Sequence, residues 1–171
     1  GESVRQLIER GSDPRHRLVM ERLAERLRGL GVSLLTLADA NDVVVTAGAL
    51  EAITLSLQAI CKPGDAVLVE SPTYYGLLQA IAALGLKVVE IPVCCDDGLD
   101  LGCALKALAT QPIRAAVLIP SFSNPSGSLM PAAARRTLAQ ACARLGVPVI
   151  EDDVYGELAF DGSRPVPLMA F

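Results

Sequence analysis

Three consecutive acids and a tyrosine stand in the stretch Glu151-Asp152-Asp153-Val154-Tyr155, directly after the apolar run of residues 147–150. Such a run reads as a buried parallel strand, so charge arrives at its carboxyl end, which is where ligands sit in open α/β sheets. A carboxylate there can hold a metal, cap the next turn or pair with a cationic ring nitrogen. Spacing alone does not choose among these, and an acidic loop facing water is the plain alternative. A second polar loop, Ser121-Phe122-Ser123-Asn124-Pro125-Ser126-Gly127, leaves another apolar run, residues 115–119, about one strand-helix unit earlier. Two polar loops leaving two strands should share one edge of one sheet.

The elements that must carry these loops alternate strand with helix from Asn41 to Tyr155, the pattern of right-handed crossovers and a mainly parallel sheet. Residues 43–46 read as a short strand and 48–61 as a helix with Leu50, Ile53, Leu57 and Ile60 inward. A helix opening directly after Thr46-Ala47-Gly48 presents backbone N–H groups at its positive end, which suits a phosphate; a plain strand-helix turn is the alternative. No Gly-x-Gly-x-x-Gly is present, which argues against a dinucleotide site. Residues 62–65 form a turn, 66–69 a strand, and Glu70-Ser71-Pro72-Thr73 leads into a helix over residues 74–84. An aromatic at that junction either stacks on a flat ring or fills the rim of the core.

Further strands are expected at residues 87–91 and 114–119, and further helices at 99–110 and 131–145. The last of these should bury Leu138, Cys142 and Leu145 and expose Arg135, Arg136 and Arg144. After Tyr155, residues 156–160 are expected to continue extended. Ahead of all this, residues 2–31 read as an amphipathic helix with Met20, Leu23, Leu27 and Leu30 on one stripe and charges of both signs around it.

Composition narrows the chemistry. With 171 residues, 51% of them hydrophobic, the chain can bury one sizeable core, and the lack of Trp leaves that core to Leu, Val, Ile and Ala. A net charge of −4 argues against a general nucleic-acid surface. His16 is the only histidine, which disfavours a histidine-rich metal site and a Ser-His-Asp triad. Five cysteines without Cys-x-x-Cys spacing imply reduced thiols and a cytoplasmic setting. No apolar run is long enough to span a bilayer, so no membrane partner is expected.

As an ordered set, the motifs resemble fold-type I pyridoxal-phosphate enzymes of the aminotransferase class I/II family. Asn124-Pro125-Ser126-Gly127 is similar to that family's Asn-Pro-(Thr/Ser)-Gly, and Asp152 with Tyr155 is similar to its Asp-x-x-Tyr. The stretches 70–76, 121–130 and 151–158 most resemble the aminotransferase-like domain of MocR-type regulators in the GntR family. The likeness runs from about Asn41 to Phe171. It implies a three-layer α/β/α fold, part of the large domain of an aspartate aminotransferase-like protein, over residues 41–171, with residues 1–40 as a loosely matched helical segment.

The resemblance further implies a pyridoxal 5'-phosphate site. Gly48, Ala49 and Leu50 would hold the phosphate, Tyr74 would cover the ring, Asp152 would accept from the ring nitrogen, and Asn124 and Tyr155 would donate to the 3-oxygen. Asp153 and Glu151 should point elsewhere. Cis peptides are implied before Pro125 and Pro72. Also implied are an amino acid or amine ligand, a homodimer, and DNA contact only through a separate domain. The lysines are Lys62, Lys87 and Lys106, none in the family's Ser-x-Ser-Lys segment that carries the cofactor-linking lysine. This polypeptide alone is therefore expected to lack transaminase activity and to bind the cofactor weakly. The alternative to a regulator's effector domain is a fragment of a genuine amino-acid aminotransferase.

Overall fold

The computed structural model describes residues 34–36 and 43–171. The chain divides into two compact units, Gly1–Ala52 and Ile53–Phe171. The expected helix over residues 2–31 and the boundary at residue 40 lie outside the described residues.

In the first unit, β1 (Leu34–Thr36) pairs antiparallel with β2 (Val43–Val45), Leu35 opposite Val44. β2 is the strand expected at residues 43–46. Its antiparallel partner is an addition, because three residues carry too short a pattern to announce a strand. Helix α1 (Ala49–Ile60) follows, within the predicted bounds, and from Ile53 onward it belongs to the second unit.

The second unit is built on β3 (Ala66–Ser71), α2 (Tyr75–Ala83), β4 (Lys87–Cys94), β5 (Gly98–Leu99), α3 (Leu101–Thr110), β6 (Ile113–Leu118), α4 (Ala132–Leu145) and β7 (Val149–Glu151). Sheet order is β5-β4-β3-β6-β7, and every ladder is parallel except the short β4–β5 pair. Strand periodicity explains the three layers. Val67, Val69, Ala115, Val117 and Ile150 pack on one face with Ile53, Leu57, Leu77 and Ile81 of α1 and α2. Leu68, Ala116 and Leu118 point the other way, onto Ala104 and Leu108 of α3 and Leu138, Ala141 and Cys142 of α4. Each fully buried Val or Leu contributes roughly 2 kcal/mol of transfer free energy. From β3 the chain steps outward to β4, then crosses to β6 on the far side of β3. That reversal makes the carboxyl ends of β3 and β6 the sheet's switch point, where open α/β sheets take their ligands.

Four expectations need correction. Leu50 shares the inward stripe of α1 but sits in its first turn and is 38% exposed. Leu145 is 52% exposed, because α4 ends there at Gly146 (φ 67°) and Val147 takes the buried place. Arg135 does not face water: it is 2% exposed, on the same stripe as Leu138, Ala141 and Cys142. Residues 156–160 are not extended. Beyond the last strand, the chain turns, with Gly156 N–H donating to Asp153 O (3.2 Å) and Leu158 N–H to Tyr155 O (2.9 Å).

All five cysteines are free thiols. Among the described residues no helix is long and apolar enough to cross a membrane.

Candidate functional site

The loop that leaves β6 is pinned from below. Glu70, the fifth residue of β3, is only 2% exposed, and its Oε2 accepts the Ile119 N–H at 2.9 Å. Burial pushes this carboxyl up to about 7; the Ile119 N–H opposes the shift, as does the neighbouring Ser123 hydroxyl, and Asp152 adds to it. Ser123 Oγ is itself buried and has no partner in hydrogen-bond geometry among the described residues. Arg135 grips the next residues, with Nη2 donating to Pro120 O (2.7 Å), Nη1 to Ser121 Oγ (3.1 Å) and Nε to Met130 O (2.8 Å). The loop closes on itself through Met130 N–H to Pro120 O (2.9 Å) and Ser123 N–H to Ser128 O (3.0 Å).

Held this way, Asn124 Nδ2 donates to the Tyr155 hydroxyl at 3.3 Å, so the structure brings these two together from loops 31 residues apart. Asp152 leaves β7 on the same edge, its N–H donating to Leu118 O at 2.8 Å. Its Oδ1 is buried and finds no hydrogen-bond partner among the described residues. Burial raises the Asp152 carboxyl above the usual range, the Val154 N–H opposes that, and Asp153 reinforces it. The flanking acids are engaged elsewhere. Asp153 Oδ2 meets Arg164 at 2.7 Å, and Glu151 Oε2 accepts the Leu168 N–H at 2.9 Å.

Tyr74 caps the start of α2, and its ring packs on the core beside that helix, 5.0 Å from the ring of Tyr75, which is 69% exposed. Gly76 makes room for it: a Cβ there would come within 2.5 Å of Tyr74 Cε1. Gly76→Ala should therefore displace the Tyr74 ring while leaving α2 intact, because alanine itself favours the helix. Shifted Tyr74 aromatic resonances with a melting temperature within about 3 °C of the parent are expected. Both Ser71-Pro72 and Asn124-Pro125 are cis, as implied.

Gly48, Ala49 and Leu50 belong to the first unit. Gly48 has φ 127°, a conformation that only glycine adopts readily, and it precedes α1 directly. Thr46 Oγ1 donates to Gly48 O at 3.0 Å, and Glu51 turns back so that its carboxylate accepts the Ala47 N–H.

Residues 6–171 match the family model for aminotransferase class I and II. The chain belongs to that family. Within it, the chain is 39% identical over 143 residues to an uncharacterised HTH-type transcriptional regulator of Escherichia coli, YjiR, covering 84% of this chain and 30% of the regulator. It is 35% identical over 151 residues to arginine–pyruvate transaminase of Pseudomonas aeruginosa, covering 88% of this chain and 38% of the enzyme. Among solved structures, it superposes with TM-score 0.68 and 36% identity on α-aminoadipate aminotransferase LysN of Thermus thermophilus, complexed with N-(5'-phosphopyridoxyl)-L-leucine. That match covers 72% of this chain and 31% of the enzyme. The chain thus spans 30–38% of the length of these relatives. It is an aminotransferase-like domain of fold type I, and its relatives include both MocR-type regulators and aminotransferases.

Two residues of this aminotransferase-like edge were not singled out by motif or spacing, Glu70 and Arg135. For Glu70 the available signal was alternation, since it continues the period of Leu68 onto a buried face.

Proposed function

We propose that Asn124, Asp152, Tyr155 and Tyr74 are this chain's share of a pyridoxal 5'-phosphate site. The observation that carries the reading is the buried, unpartnered Oδ1 of Asp152 on the sheet edge that also holds the Asn124–Tyr155 pair. The donor set fits the group. An acid whose proton affinity is raised by burial gains most from a cationic N–H partner, which restores its charged form and forms a charge-assisted hydrogen bond. Asn124 and Tyr155 supply an amide and a phenol for a ring oxygen, and Tyr74 an aromatic face. The chemistry such a cofactor supplies is electron withdrawal from the carbon of an amino substrate. Asp152 serves that chemistry by holding the proton on the ring nitrogen.

The whole protein is read as a GntR/MocR-type transcriptional regulator, in which this domain senses an amino acid or amine, dimerises, and leaves DNA to a separate domain. Identities of 39% and 40% to two HTH-type regulators support that reading. A metabolic aminotransferase is the second reading, favoured by the 35% identity to a transaminase. In the full-length protein, Asp152→Ala should weaken pyridoxal phosphate binding by about 30-fold in an absorbance titration, the worth of one charge-assisted hydrogen bond. Parent-like affinity in that variant would sink the site. Steady turnover of an amino donor with a 2-oxo acid would decide for the enzyme.

A further inference from the structure

The floor under Asn124 is made of two ionisable side chains that no motif assigns. They enter from different elements, Glu70 from β3 and Arg135 from α4, and each is 2% exposed. Between them they hold three consecutive residues: Glu70 takes the N–H of Ile119, and Arg135 takes the carbonyl of Pro120 and the hydroxyl of Ser121. A second Arg135 contact, Nη1 to Val166 O at 3.0 Å, reaches the segment downstream of Tyr155. One guanidinium therefore ties the chain on the Asn124 side to the chain on the Tyr155 side.

We propose that Glu70 and Arg135 are positioning residues, a two-sided clamp on residues 119–121 that sets where Asn124 meets Tyr155. Neither touches the candidate cofactor donors themselves. A five-donor planar fork suits this task, because it bonds three chain segments at once from one rigid plane. The two halves of the clamp differ in one respect. Arg135 stays charged at any working pH, whereas the Glu70 carboxyl is buried to the point of titrating near 7. Asp152 is the charged group that faces Glu70, and the Ile119 N–H and Ser123 hydroxyl are the neutral ones. Opening the loop hydrates Glu70, and hydration favours the carboxylate. The closed loop should thus loosen as pH rises through about 7.

The clamp stands on geometry, and only its value to a cofactor rests on the function proposed above. Its test accordingly uses the full chain without added cofactor. Amide hydrogen exchange of residues 119–128 is followed by mass spectrometry from pH 5.5 to 8.5, corrected for intrinsic rates, with α2 as internal reference. In the parent protein, loop exchange should rise at least about threefold with a midpoint near 7, while α2 stays flat. Glu70→Gln keeps an acceptor for Ile119 and should abolish the step without loosening the loop. Arg135→Lys keeps the charge but loses the fork, and should speed loop exchange about tenfold at every pH, with α2 unchanged.

A pH step that survives in Glu70→Gln overturns the Glu70 half. Loop exchange within twofold of the parent in Arg135→Lys overturns the other half, and so does equal loss of protection in α2, which would make Arg135 a residue of global stability. Failure of pyridoxal phosphate to bind would count against the proposed function and leave these outcomes untouched.

Discussion

Arg135→Ala is expected to lower the unfolding free energy by about 3–5 kcal/mol, enough to threaten folding at body temperature. The side chain spans the space between α4, the Asn124 loop and Val166, and donates to three carbonyls and one hydroxyl. Truncation leaves the Met130 carbonyl and the Ser121 hydroxyl buried without this donor, at roughly 1–3 kcal/mol each where water cannot enter, while Pro120 O keeps the Met130 N–H and Val166 O lies near solvent, and it leaves a cavity besides. Removing the guanidinium also relieves its own desolvation, which depresses its proton affinity despite Glu151 and Asp153. The net figure is therefore well below the sum of four lost bonds. Arg135→Met separates the causes, since it fills the volume and donates nothing. If hydrogen bonds dominate, its urea midpoint should fall nearly as far as that of the alanine variant. The neighbour Arg136 is the control. It is exposed and sits 5.2 Å from the Phe171 ring centroid, so Arg136→Ala should cost no more than about 1 kcal/mol. Equal losses at 135 and 136 would contradict the buried fork.

Residue type alone could not separate those two arginines. Periodicity could, because Arg135 precedes Leu138 by three and Cys142 by seven, which puts it on the stripe that packs on the sheet. Reading Arg-Arg as a solvated pair ignored that spacing. The sheet was legible for the same reason in reverse. Residues 66–69, 115–118 and 149–150 are apolar at every position, and only a strand covered on both faces needs that. The polar edge was legible from order, as Asn124 and Tyr155 do meet and both implied prolyl bonds are cis. The partner of β2 was not, since the three residues of β1 carry too short a pattern to announce a strand. Glu70 was hidden by its neighbours, because Ser71-Pro72-Thr73 looks like a turn and draws the acid before it into the same reading. β3 instead runs on to Ser71, and one more step of alternation carries Glu70 inside.

That burial predicts an unusual pH dependence of stability. The Glu70 carboxyl titrates near 7 in the folded chain against an ordinary value of 4.5. Below pH 4.5 both folded and unfolded forms hold the proton, and its contribution to stability is fully present. Between 4.5 and 7 the unfolded chain releases the proton while the folded chain retains it, so stability falls as pH rises. Above 7 both forms are ionised and the whole penalty of a buried carboxylate remains, about 3 kcal/mol. Asp152 and Glu151 are shifted in the same direction, mainly by burial, and so act with the same sign. Glu70→Gln has nothing to titrate and keeps an oxygen for the Ile119 N–H. Urea unfolding should therefore find the variant comparable to the parent at pH 5 and more stable by about 2–3 kcal/mol at pH 8. Parallel stability curves for the two proteins would mean that water or a rearranged loop reaches Glu70. The clamp beneath Asn124 would then lose its proton-sensitive half.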